Sequence, residues 1–385
     1  MGSATGSRRQ CFRRRNPLPR AVDAGTNCLG ARGPWPGAGA TLSAPGPGAG
    51  GRDLNGSSPR AGAAPKPEAV ARACDAGPMA AAPAERVPYD EFSMFRENAD
   101  EFGIPWNGPP AVRREAVEVG PGRRLSALVW GDAEPELVLL HGGAQNAHTW
   151  DTVALALDRP LVAIDLPAHG HSDGPRGGFA DPSGHAEDVA AAVRALAPKA
   201  RGVVGMSLGG LTALALSVGA PELVRSLVLV DITPGVDEGK ATAITAFVNG
   251  PESFPSFDEI LARTVEFNPT RTVSSLRRGI LHNAVQREDG SWVWRYARHR
   301  PATSETDAGT WRVDFSDLWR AVGLLTVPLM LVRGMLLQSV VDDADEAELV
   351  CRCPGARVEH VEQAGHSVQG DRPVELAALI ADFVS

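Results

Sequence analysis

The sequence predicts an α/β protein: a mostly parallel central sheet with helices on both faces and an inserted helical cap. Three observations carry this. Short apolar runs alternate with helical patterns from about residue 112 onward, the sequence form of strands joined by crossover helices. The run Leu137 to Leu140 is apolar at every position, as expected of a strand covered on both sides. About 95 residues separate Asp231 from Pro328, too many for an ordinary loop.

Taken in order, strands are expected at 124–130, 136–141, 161–165, 202–207, 226–231, 328–334 and 357–362. Helices are expected at 148–157, 184–196, 207–219, 345–351 and 373–384. The long interval holds helical patterns such as "FDEILARTVEF" and reads as a cap, 234–325, over the strands' C-terminal ends, where open parallel sheets bind ligands. It divides a core of 79–233 and 326–385.

The segment 1–78 is of another kind. It carries ten Arg and one Lys against four acids, while the remainder holds 27 bases against 42 acids. Crowded with Gly, Pro and Ala and lacking periodicity, it cannot bury enough apolar surface to offset chain entropy and is expected to be disordered. A transit peptide, a nucleic-acid arm and a proline-rich ligand are competing uses; the favoured reading is that Met79 is the translation start. The acidic remainder gives no electrostatic reason to expect nucleic acid. No 18-residue apolar run is present for a membrane span, and the N-terminus lacks an apolar signal-peptide core. Cys351 and Cys353 form a CxC that matches neither a redox pair nor a zinc half-site. A cytoplasmic protein without a membrane partner is expected.

The strongest local signal is "GMSLGG". A strand ends, Ser207 sits between Gly205 and Gly209, and a helix begins at once, the context a nucleophile elbow requires. An attacking hydroxyl needs a base for its proton and fixed donors for the developing oxyanion. His366, in "EQAGHSVQGDRP", lies in a loop between the last strand and the last helix. Gly143, in "LLHGGAQNAHTW", can offer its backbone N–H together with that of Leu208 as an oxyanion hole.

From Val112 to Ser385 the chain resembles the α/β-hydrolase superfamily. It has "HGG" after the third strand, "DLPAHGHSDGP" after the fourth, "GMSLGG" after the fifth and "AGHSVQGDRP" before the final helix. The resemblance implies a serine hydrolase with Ser207 as nucleophile and His366 as base, and the segment 165–174 as a loop at the base of the site. His169 and His171 form an HxH pair, but without a third ligand in view they read as part of that loop, and no metal or cofactor is expected.

The acid is less direct. The family's usual position, shortly after "PLMLVRG", is filled by Leu336, Leu337 and Gln338. Asp342 and Asp343 arrive late, where acids suit a helix start. In part of the superfamily the acid follows the sixth strand, and esterases of that kind resemble this chain at Asp231, in "VDITPG". The expected triad is therefore Ser207, His366 and Asp231, with Asp342 or Asp343 in reserve. Met206 and Trp150 are expected to line the substrate pocket by their motif positions, and Trp294, from the alternating Trp292, Trp294 and Tyr296 of the cap, to wall it. His282 and Asn283 are further cap candidates, for substrate polar groups.

The function expected is hydrolysis of a carboxylic ester, lactone or thioester with a small-molecule acyl group, through an acyl-enzyme. A C–C bond hydrolase of aromatic-degradation products and a non-catalytic ligand-binding protein on the same scaffold are the alternatives. The oligomeric state is not legible.

Overall fold

The computed structural model describes residues 86–175, 181–237, 239–297, 315 and 317–385. The segment 1–78 and Met79 lie outside the described residues. The described strands are β1 (Val112–Gly120), β2 (Arg123–Trp130), β3 (Leu137–Leu140), β4 (Leu161–Ile164), β5 (Gly202–Met206), β6 (Leu227–Val230), β7 (Ser253–Phe254), β8 (Ala284–Gln286), β9 (Trp292–Trp294), β10 (Leu329–Gly334) and β11 (Arg357–Val361).

Eight of these form one sheet in the order β1-β2-β4-β3-β5-β6-β10-β11. β1 and β2 pair antiparallel, as do β2 and β4. From β4 to β11 every pairing is parallel. Seven strands were expected. The eighth, β1, is a half-buried edge whose apolar residues are interrupted by Arg113, Arg114, Glu115 and Glu118, so its period is faint in the sequence.

The all-apolar runs are explained by two cores. Val138 and Leu140 of β3 point into one, with helices Pro182–Leu196 and Leu208–Gly219. Leu137 and Leu139 point into the other, with helices Asp151–Leu157 and Pro373–Phe383. Each of these side chains is fully buried, a gain of roughly 1.5–3 kcal/mol apiece. No helix among the described residues is long and apolar enough to cross a membrane.

Between β6 and β10 the chain forms helices Thr242–Val248, Phe257–Phe267 and Val273–Asn283. It also forms a small antiparallel sheet, ordered β7-β9-β8. The insertion is thus not wholly helical. Its expected end at 325 is also late: Phe315, Leu318, Trp319 and Leu325 pack on the main core, and helix Leu318–Leu324 lies against Leu208–Gly219. Amphipathic spacing alone could not say which neighbour that helix would cover. Ahead of β1, Met94 joins Ile260, Ile280 and Trp292 in the cap's own cluster, while the next residue, Phe95, joins the core cluster that holds Leu137 and Leu139. The segment before β1 thus fastens cap to core.

The turn from β5 into helix Leu208–Gly219 shows why the motif carries its glycines. Ser207 adopts φ 51°, ψ −120°, a left-handed backbone that costs a non-glycine residue on the order of 1–3 kcal/mol. A Cβ on Gly205 would collide with the carbonyl oxygen of Gly209, and one on Gly209 with that of Leu140. Strand and helix approach too closely there for any side chain. Gly209→Ala should therefore destabilise the fold by about 3 kcal/mol, since the obstructing atoms are backbone and cannot rotate away. Gly143→Ala, with nothing within 4 Å of the added methyl, should change stability by less than about 0.5 kcal/mol. Urea denaturation of the two variants checks the contrast.

Candidate active site

Ser207 and His366 line one cavity of about 280 Å³ at the C-terminal edge of the sheet, beneath the insertion. His366 Nδ1 lies 2.9 Å from Asp231 Oδ2. Asp231, one residue past β6, is fully buried and has φ 48°. Its Oδ1 accepts hydrogen bonds from Gly334 N at 2.9 Å and Ser339 Oγ at 2.6 Å. Its Oδ2 accepts one from Val340 N at 3.1 Å in addition to facing His366. The turn after β10 thus supplies donors to Asp231.

Asp342 and Asp343 are engaged elsewhere. Asp342 caps helix Asp343–Arg352, accepting from Asp345 N at 2.9 Å, and pairs with Lys240 at 2.9 Å. Asp343 pairs with Arg333 at 2.8 Å and is almost wholly exposed. Neither meets His366.

The loop after β3 abuts the serine: a Cβ on Gly142 would lie 3.2 Å from Ser207 Cβ. The backbone N–H groups of Gly143 and Leu208 donate to no other group among the described residues. Gly143 lines the cavity, and Leu208 opens the helix that follows the serine.

That loop is held by the segment 165–174. Leu166 N donates to His141 Nε2 at 2.9 Å, Ala144 N to His169 Nε2 at 3.1 Å, and Ala147 N to Asp165 Oδ1 at 2.7 Å. A nitrogen that accepts has no proton, so both histidines carry theirs on Nδ1, donating to the carbonyls of Gly142 and Pro167. Burial pushes the His141 pKa down and keeps the ring in this neutral form. His169 therefore serves as a loop brace.

Of the pocket residues expected, Met206 and Trp294 line the cavity. Trp294 stacks with Tyr296 and packs edge-on against Phe247 and Phe254. Trp150 needs correction. It is fully buried among Ala147, Val153 and Leu157 and does not line the cavity. It ends a short 3₁₀ turn that points its ring into the core instead of outward. Asn283 donates to Ala144 O at 2.7 Å, tying the insertion to the loop after β3.

A buried polar network beside the cavity was not anticipated. His148 Nδ1 lies 2.9 Å from Asp151 Oδ2, and its Nε2 lies 3.0 Å from Glu91 Oε1. Its ring stacks on His282 at 3.7 Å, and His282 Nδ1 meets Tyr89 OH at 3.0 Å. Arg114 bridges Glu91 and Asp165. The spacing of His148 and Asp151, three apart at a helix start, was the available signal. Donor atoms of His148, Asp151 and His282 lie within 4.8 Å of one another, close enough to hold a divalent cation. With both His148 nitrogens already engaged, the cluster acts as a tie between the core and the insertion.

The chain matches the alpha/beta hydrolase family over residues 137–379, and with the elbow and sheet order above it belongs to that family and is a hydrolase. It is 44% identical over 304 residues to esterase Rv0045c of Mycobacterium tuberculosis, spanning 77% of this chain and 96% of that protein. A solved structure of that esterase, from work on its inhibition by transition metals, superposes with a TM-score of 0.66 at 42% identity, covering 77% of this chain and 99% of the other. A pimeloyl-[acyl-carrier protein] methyl ester esterase of Aeromonas hydrophila is 30% identical over 259 residues, 65% of this chain and 95% of its own.

Burial works against charge on His148, but the Asp151 carboxylate and the Glu91 hydrogen bond outweigh it and raise the imidazole to about 9. A histidine raised on folding contributes stability that is complete below its unfolded value near 6.5 and lost as pH rises through about 9. The urea midpoint should therefore fall between about pH 6.5 and 9, and His148→Asn should flatten that fall. An equal slope in the variant would assign the effect to other groups.

Proposed function

We propose that the chain is a serine esterase that cleaves a carboxylic ester, thioester or lactone of a small or medium acyl group through an acyl-enzyme. Ser207 Oγ attacks the carbonyl carbon, and His366 Nε2 takes its proton. Asp231 holds the imidazole in the productive tautomer and stabilises the imidazolium. The N–H groups of Gly143 and Leu208 receive the oxyanion. Collapse expels the alcohol or thiol, protonated by His366. Water, deprotonated by the same histidine, then attacks the acyl-enzyme and frees the acid. Met206, next to the serine in the chain, and Trp294, which lines the same cavity, bound the space for the acyl group.

The observation that carries this reading is the 2.9 Å contact of His366 Nδ1 with the buried Asp231, on a histidine that shares its cavity with a serine at a strained elbow. Two unengaged backbone donors beside that serine support it, as does kinship with proteins named esterases. The apolar wall formed by Ile244, Phe247 and Trp294 suits an acyl chain.

Labelling with a fluorophosphonate probe and hydrolysis of p-nitrophenyl esters test the assignment. Ser207→Ala should abolish both. Asp231→Asn should lower kcat by roughly four orders of magnitude, the loss seen when a triad acid is neutralised with its geometry kept. Asp342→Asn should turn over at close to the wild-type rate. Full turnover in Asp231→Asn, or persistent labelling of Ser207→Ala, would overturn the triad.

A further inference from the structure

One lysine and two arginines line the cavity, Lys240, Arg271 and Arg278, and two of the three are already neutralised. Lys240 pairs with Asp342 at 2.9 Å and Asp345 at 2.6 Å. Arg278 pairs with Glu101, lies 3.7 Å from Glu97 and donates to Asn98 at 2.7 Å. Arg271 differs. Its Nη2 donates to Ser275 Oγ, and its Nε is buried without an acceptor. No carboxylate of the described residues comes within ion-pair distance of it.

Nearby acids are committed to other donors. Asp371 accepts from Thr270 Oγ1 at 2.9 Å and from Gly365 N at 2.8 Å, while Glu101 holds Arg278 and Thr272. Both act on Arg271 only through space, and burial, the larger effect, pushes its guanidinium pKa down. A buried cation without a counter-charge is unfavourable, so an anion that enters the cavity and meets the guanidinium would stabilise the site.

The position of the side chain says where that acceptor would come from. The guanidinium lies flat against Gly370, four residues beyond His366: a Cβ there would be 2.8 Å from Arg271 Cζ and 2.9 Å from Nε. The bare backbone of Gly370 leaves room for a planar cation in the wall of the cavity that holds Ser207 and His366.

We infer that Arg271 forms an anion-binding subsite of this cavity and that the preferred substrate is an ester carrying a second, free carboxylate. The inference rests on the esterase reading above. A planar carboxylate matches the guanidinium's fork of N–H donors, two parallel charge-assisted bonds that an alkyl chain cannot make.

The test compares mono-p-nitrophenyl esters of succinic, glutaric and adipic acids with neutral p-nitrophenyl esters of equal chain length. In the wild type, kcat/KM should favour the carboxylate-bearing ester for at least one length. Arg271→Gln should reduce the ratio of anionic to neutral kcat/KM by about tenfold or more, and Arg271→Lys should restore part of it. Gly370→Ala keeps the charge but displaces the guanidinium, and should lower the same ratio. An anionic-to-neutral ratio that Arg271→Gln and Gly370→Ala leave unchanged at every length would overturn the subsite, and the more so if the Gln variant merely melts earlier, since the arginine would then be a structural brace. Wild-type protein that hydrolyses neither ester of any pair would instead overturn the esterase reading. Ser207-dependent hydrolysis of the neutral ester, with a ratio blind to Arg271, would overturn the subsite alone.

Discussion

Asp231 sits where no water reaches, and the surrounding turns are folded to supply its carboxylate with donors. Gly334 N, Ser339 Oγ and Val340 N occupy three of its accepting directions. His366 Nδ1 takes the remaining one. A buried carboxyl with fewer partners would be costly. The left-handed backbone at Asp231 aims the side chain across β10 at the price of local strain. The loop bearing His366 and the turn 335–340 are thereby tied to one atom pair, and the proposed chemistry depends on it.

A second constraint is close backbone approach. β5 and the following helix nearly touch at Gly205 and Gly209, which lifts Ser207 above the sheet edge. The loop after β3 is braced from below by His141, His169 and Asp165, which accept its amides or those of the neighbouring turn. None of these groups reaches the cavity floor as a reactant. They fix the course of the loop that carries Gly143, and under the proposed chemistry a fixed donor there is what an oxyanion would gain from. The insertion closes the cavity from above. It is fastened to the same loop through Asn283 and Ala144, and to the core through the stacked rings of His148 and His282.

Much of this was legible in the sequence because backbone geometry dictates residue type. Only glycine fits where strand meets helix, so the elbow announces itself. Fully covered strands must be apolar throughout, so β3, β5 and β6 could be read directly. Asp231 could be named as a candidate from its place after the sixth strand. Its donors Ser339 and Val340 could not, because they lie more than a hundred residues away and carry no motif. β1 was missed because a half-exposed edge strand tolerates alternating charge. Trp150 was misjudged because a motif fixes where the backbone runs and leaves side-chain direction to the turn type. The network of Glu91, Arg114 and His148 joins three separate segments, and Arg271 sits in an unremarkable polar stretch, "NPTRTVSS". For both, the signal exists only once the chain is folded.

The central claim is that the Asp231 carboxylate holds the proton on His366 Nδ1. Proton NMR of the exchange-protected imidazole N–H groups addresses it directly. The wild type should give a far-downfield His366 Nδ1–H resonance that disappears in Asp231→Asn and remains in Asp342→Asn. An identical resonance in Asp231→Asn, or none assignable to His366 in folded wild type, would contradict the account.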